Sequence, residues 1–230
     1  MRHRLVLTIS LAVAGAVILV SLGVWQVQRH QWKQAVIAEM DGRLSAPPVT
    51  LPAAPDPDTH LYLPVRIEGR IGAEEIRVQA SRKLVGAGYR IIAPFETTDG
   101  RRILIDRGFI PQTRAEIAPR PGGPASIVGN LHWPDEVDMF TPAPDRDAGL
   151  WFARDVPALA AALGTEATFV VVRDTTRPAE ALDPLPLDTG GIPDNHLGYA
   201  IQWFLMAAVW VVMAGAFVRG QWRRAGKEAA

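Results

Sequence analysis

His196 stands at the head of the last long apolar stretch of this 230-residue chain. In a helix already wound at that point, Tyr199, Ala200 and Trp203 fall at i+3, i+4 and i+7 and share its face. That face carries an imidazole, a phenol, a small gap and an indole. Imidazole is a common axial ligand of haem iron. A small neighbour leaves room for a flat macrocycle, and aromatic rings offer it apolar walls. The same residues equally describe an aromatic belt where a helix leaves the membrane, with Asn195 as its cap. A second set, Trp25, Gln26, Arg29 and Lys33, ends the first apolar stretch. If both stretches reach the same surface, Trp25 and Gln26 share a pocket with His196, Tyr199 and Trp203. Arg29 and Lys33 then stand above it, where they can meet haem propionates or lipid headgroups.

Other chemistry is poorly provided for. The chain has no cysteine, which excludes disulfides, thiolate metal sites and a cysteine nucleophile. The five histidines, His3, His30, His60, His132 and His196, show no metal-binding spacing among themselves. No Gly-x-Ser-x-Gly, His-Glu-x-x-His, P-loop or Gly-x-Gly-x-x-Gly occurs. Ser81 and Lys83 form a serine–lysine pair only if both lie on one strand face; two solvated polar residues are the plainer reading. The reading is therefore not an enzyme. Lys and Arg total 24, as do Asp and Glu, so there is no basic stripe for a nucleic-acid partner.

The elements that must position these residues are two apolar spans. Residues 5–24 run without charge for about one bilayer thickness. They exceed the roughly 7–15 residues of a signal-peptide core, and no convincing small-x-small cleavage site follows, so a retained membrane helix is expected. Its helical pattern continues to about Leu44, where Ser45-Ala46-Pro47-Pro48 ends it. The second span covers residues 197–218. Arg2 and Arg4 mark one end; Arg219, Arg223, Arg224 and Lys227 mark the other. Both termini are then cytoplasmic and the central segment outside.

Between the spans the pattern is β-rich. Leu63, Val65, Ile67 and Ile71 are spaced for one strand face. Residues 75–80, 89–95, 102–110, 126–133 and 168–174 bring the count to about six strands. Asp99-Gly100 signals a turn, Gly86-Ala87-Gly88 a bend, and 51–60 and 119–124 are loops. Asp155, Pro157 and Gly164 mark out one helix. The expected fold is a membrane protein with two transmembrane helices flanking an α+β, mostly antiparallel and barrel-like extramembrane domain. Its segments are a cytoplasmic 1–4, helices 5–24 and 197–218, a periplasmic domain with a juxtamembrane helix over 25–196, and a cytoplasmic 219–230.

Three motifs resemble one family. Gly23-Val24-Trp25-Gln26-Val27-Gln28-Arg29-His30-Gln31-Trp32-Lys33 is similar to the amino-terminal signature of the surfeit locus protein 1 family. Leu104-Ile105-Asp106-Arg107-Gly108-Phe109-Ile110-Pro111 resembles its central stretch, and Asn195-His196-Leu197-Gly198-Tyr199-Ala200-Ile201-Gln202-Trp203-Phe204 its carboxy-terminal signature. Gly129, Phe140-Thr141-Pro142, Trp151 and Asp155 also fall where that family has them. The resemblance spans nearly the whole chain in the right order.

The resemblance implies a biogenesis factor for haem–copper terminal oxidases, a chaperone-like protein of the bacterial inner membrane. Its cofactor would be haem a, with His196 as the axial ligand of the iron. Its partners would be the largest subunit of cytochrome c oxidase and, further, a haem a synthase. On the reading of the residues above, Tyr199, Trp203, Trp25, Gln26 and Arg29 would complete that site. The alternative is a cofactor-free scaffold that steadies a nascent oxidase subunit through the extramembrane face, with Arg107 or Trp151 in contact. Three positions depart from the family pattern: Asp106 and Phe109 stand for asparagine and tryptophan, expected as neutral changes in a β-turn. Gly198 stands for a larger polar residue, which loosens the start of the second helix by about 1 kcal/mol relative to alanine.

Overall fold

The computed structural model describes residues 2–116, 120–179 and 181–228. The side chains of Arg2, Arg4 and 225–228 lie outside that description, so the charges of Arg2, Arg4 and Lys227 do too. In chain order the elements are α1 (Arg2–Leu44), β1 (Val49–Thr50), α2 (Pro57–His60), β2 (Pro64–Ile71), β3 (Ile76–Arg82), β4 (Gly86–Thr97), β5 (Arg102–Pro111), β6 (Gly123–Leu131), β7 (Leu150–Trp151), α3 (Val156–Leu163), β8 (Phe169–Thr175) and α4 (His196–Glu228), with a 3-10 turn at Gln112–Arg114. They form two units, one of Met1–Glu39 with Gly190–Ala230 and one of Met40–Thr189.

The first unit is a helix pair, and both helices are long and apolar enough to cross a membrane. α1 has 43 residues, about 65 Å at the helical rise, roughly twice a bilayer's hydrocarbon core. α1 ends at Leu44, where the sequence pattern ends it, and α4 winds on beyond 218 to Glu228. The apolar runs end at 24 and 218, but no proline follows directly, so the polar flanks keep winding. Leu7, Leu11, Leu205 and Val212 turn outward and are 61–71% exposed, a surface suited to lipid rather than water. The inward seam is built from small residues. A Cβ at Gly15 would lie 2.5 Å from the Trp210 ring, and one at Gly23 2.6 Å from the Phe204 ring. Ala200 and Ala207, two helical turns apart, are buried on the same seam. Small residues let membrane helices approach closely, and the Trp210 indole donates to the Ala12 carbonyl at 2.8 Å.

The second unit is a closed barrel, mostly antiparallel, as expected. The ring runs β2–β6–β8–β5–β4 and closes through a β2–β4 pairing. Only β5 and β8 are parallel within it, with Leu104 opposite Phe169. β2 and β4 meet where Gly69 opposes Thr97 and Ile71 opposes Phe95. A side chain at Gly69 would collide with the Glu96 carbonyl, so the closure needs a glycine there. Short β1 and β7 bring the strands to eight rather than six.

Alternation along the strands explains why residues 103–105 of β5 and 169–172 of β8 are apolar without a break. Ile103, Ile105, Val170 and Val172 point into the barrel with Val65, Phe95 and Ile127. Leu104, Phe169 and Val171 point outward, where Leu159 of α3 covers them together with Trp151. Both faces are buried, so no polar face appears in the sequence. α3 forms as the sequence marks it: Asp155 accepts from the Ala158 N–H at 3.1 Å, and Gly164 ends it at φ 62°.

Three local expectations change. Gly86, Ala87 and Gly88 are in β4, and the bend falls at 83–85, with Leu84 at φ 69°. Lys83 is therefore in that turn and not beside Ser81 on a strand face. Asp56 caps a single helical turn, α2, inside the stretch read as loop. The loop expected at 119–124 starts at Pro119, outside the described residues, and gives way to β6 at Gly123.

Candidate functional site

His196 is the first residue of α4. Its backbone N–H donates to Asp194 Oδ1 at 3.2 Å. Asp194, rather than Asn195, thus caps this helix; Asn195 contributes its carbonyl, which accepts from the Tyr199 N–H. A carboxylate suits the free N–H groups and the positive end of a helix. The other Asp194 oxygen accepts from His30 at 2.8 Å and from the Gln34 amide at 2.9 Å, both on α1. Lys33 donates to the Pro193 carbonyl. The hydrogen bond from Gln34, against an opposing desolvation and with the help of bonds from the His196 backbone and His30, holds the Asp194 carboxyl below its ordinary range. The turn before α4 is thereby tied to α1 at residues 30, 33 and 34. Sequence reading missed this knot, because its members lie some 160 residues apart.

The His196 ring has its own partner. Nδ1 lies 2.8 Å from the Gln26 side-chain oxygen. With the amide oxygen toward the ring, Nδ1 is the donor, and in a neutral imidazole Nε2 then keeps its lone pair. Histidines that bind metal commonly donate their other N–H to such a partner, which fixes tautomer and ring orientation. Among the described residues there is no group of three or more His, Cys, Asp or Glu that would hold a bare ion. His196 offers one oriented donor, the number a macrocycle-bound metal requires of a protein at a single axial position.

The other predicted site residues are placed less closely. Trp25 and Tyr199 are half exposed, at 54% and 52%, and Trp203 is partly buried. Arg29 is exposed, its guanidinium over the Trp32 ring at 3.9 Å. The structure thus brings Gln26 to His196, while the rings of Trp25, Tyr199 and Trp203, all described residues, make no ring-to-ring contact. An open apolar groove of about 600 Å³ runs along α4 from Gly198 past Gln202, Met206 and Trp210 to Met213, with Leu19 of α1 beside it.

A second group of ionisable side chains lies in the barrel unit. Asp106 is fully buried, not in a turn but in β5, and Arg90 Nε donates to it at 2.5 Å. Its other oxygen accepts from the Gly108 N–H at 3.0 Å. Arg154 approaches it to 4.0 Å and pairs with Glu136. His132, stacked on Tyr62, is held neutral: burial, then the Arg154 charge, pushes its pKa down to about 4. The Asp106 carboxylate is therefore one half of an ion pair and no neutral change. Arg107 donates to the Arg120 and Pro121 carbonyls rather than to the Gly108 bend. Trp151 is 3% exposed, a core residue and not part of an outer face.

The three motifs now have places. Gln26 and His196 lie on the paired helices, and the central motif is β5 of the barrel. The sequence model of the SURF1 family matches residues 13–208. This chain belongs to the SURF1 family. It is 30% identical over 223 residues to Surfeit locus protein 1 of Homo sapiens, covering 86% of this chain and 74% of that protein. It is 29% identical over 221 residues to Surfeit locus protein 1 of Rattus norvegicus, covering 86% and 72%. A SURF1-like protein of Rickettsia bellii (strain RML369-C) is 27% identical over 212 residues, covering 88% and 87%. The SURF1 match takes in both His196 and Gln26, and all of the barrel.

Proposed function

We propose that this SURF1-family protein is an assembly factor for cytochrome c oxidase that binds haem a through His196 and assists its insertion into the largest oxidase subunit. The observation that carries the reading is the 2.8 Å hydrogen bond from His196 Nδ1 to Gln26, which leaves Nε2 free to ligate. The adjacent apolar groove from Gly198 to Met213 suits the long hydrocarbon tail of haem a. Haem a supplies the iron as cargo. His196 holds it by a single bond, Gln26 orients the ring, and the Asp194 knot steadies the helix start. One exchangeable ligand favours delivery over permanent storage. Both termini would be cytoplasmic and the barrel periplasmic, in a bacterial inner membrane. Arg219, Arg223 and Arg224 at the end of α4 support that orientation.

A cofactor-free scaffold is the second reading, favoured by Met139 and Phe140, which are 87% and 83% exposed. Phe140 donates its N–H to Asp138, and Thr141 closes the same turn, so two apolar side chains are presented to solvent on a fixed loop. The experiment that separates the readings is the optical spectrum of the protein purified from cells that make haem a, beside His196→Ala. A haem a band lost in a folded His196→Ala supports the carrier. Absence of haem in the parent, where a known haem a protein keeps its own, leaves the scaffold.

A further inference from the structure

One end of the barrel interior opens into a cavity of about 110 Å³. Its floor is Ile71, Ile105, Ile127 and Val172, the inward-facing apolar residues of β2, β5, β6 and β8. Arg107 and Arg177 stand on its wall. Among the described residues neither has a carboxylate within ion-pair distance. Arg107 donates from Nη1 and Nη2 to two backbone carbonyls, which leaves further N–H donors for a ligand. Arg177 Nε is buried without a hydrogen-bond partner. Its guanidinium lies flat against Gly123, where a Cβ would come within 2.9 Å of Cζ, so the backbone holds it in place. Burial disfavours the Arg107 cation most; the Glu75 charge opposes this, and the charges of Arg120 and Arg177 add smaller repulsions. Asp174 also lines the cavity, but its carboxylate accepts from the Thr175 N–H at 2.8 Å. Arg173 turns its guanidinium away, to the Leu44 carbonyl.

An unpaired buried guanidinium N–H is costly, and carboxylates match the planar guanidinium fork. We propose that this cavity is a binding site for a short-chain monocarboxylate, its carboxylate held by Arg177 and Arg107 and its apolar stem on the isoleucine floor. The volume equals about four water molecules at their share of liquid, room for a stem of a few carbons. Inorganic phosphate would satisfy the arginines but leave the floor uncovered, so the floor selects the carboxylate.

The test is equilibrium dialysis of labelled butyrate against the full-length chain in nanodiscs at low salt, with acetate, butyramide and phosphate as competitors. Saturable binding at one site per chain is expected. Acetate should compete more weakly, and butyramide, which lacks the charge, not at all. Arg177→Gln should weaken butyrate binding at least tenfold with an unchanged far-UV circular dichroism spectrum. The proposal is overturned by no saturable binding, by equal competition from butyramide or phosphate, or by equal binding to folded Arg177→Gln. The competitor series on the unaltered protein decides the matter should Arg177→Gln fail to fold.

Discussion

The His196 imidazole and the Gln26 amide, 170 residues apart in sequence, meet at 2.8 Å. Gln26 is in mid-helix on α1 and His196 at the first turn of α4, so each side chain is fixed by a different backbone. A neutral imidazole that donates from Nδ1 across this contact has an unprotonated Nε2.

Gln26→Leu removes the ring's one hydrogen-bond partner among the described residues. The expected result is a mixed population of the two neutral tautomers, read from the ¹⁵N shifts of His196, where the parent shows protonated Nδ1 alone. The loss of one hydrogen bond corresponds to about 0.5–1.5 kcal/mol. An unchanged tautomer in Gln26→Leu would show that another group orients the ring.

Asp106 and Arg90 form a buried ion pair, so removing one partner leaves an uncompensated charge. Asp106→Leu should lower unfolding free energy by about 3–5 kcal/mol, measured by denaturant titration. Asp106→Asn keeps an acceptor for the Gly108 N–H and should cost less. Combining Asp106→Leu with Arg90→Met should recover part of the loss, because the stranded guanidinium goes too. Additive losses in the double variant would contradict a direct pairing.

His132 gives the barrel a pH dependence with a definite sign. Its pKa is near 6.5 unfolded and about 4 folded. Between those values the unfolded chain binds more protons, so stability falls as pH drops from 6.5 to 4 and this contribution levels off below 4. His132→Phe keeps the stacking surface toward Tyr62 and cannot titrate. Its stability curve should be flatter than the parent's over that window. Parallel curves would place the dependence elsewhere.

Gly23 and Gly198 should respond oppositely to a side chain. Gly23→Leu drives carbon into the Phe204 ring and should separate α1 from α4, seen as a longer spin-label distance between the helices in lipid. A Cβ at Gly198 meets nothing within 4 Å, so Gly198→Ala should firm the first turn of α4 by about 1 kcal/mol and slow amide hydrogen exchange there. Equal interhelix distances in Gly23→Leu and the parent would argue against a tight seam.

Period and punctuation made much of this protein legible in the sequence. Uninterrupted apolar runs longer than any soluble strand or helix needs mark the two spans, and Asp155, Pro157 and Gly164 mark α3, because each signal is local in the chain. The same holds for the face that carries His196, Tyr199 and Trp203. Pairing between distant segments was decided only by the tertiary structure. No local pattern says that β2 returns to β4 at Gly69, that Asp106 meets Arg90, or that Asp194 gathers His30 and Gln34. Those contacts depend on closure of a barrel and on the register of two helices, which burial and hydrogen bonding settle together. The imidazole was visible from composition and spacing; its partner, a glutamine 170 residues away, was set only by the register of the two helices.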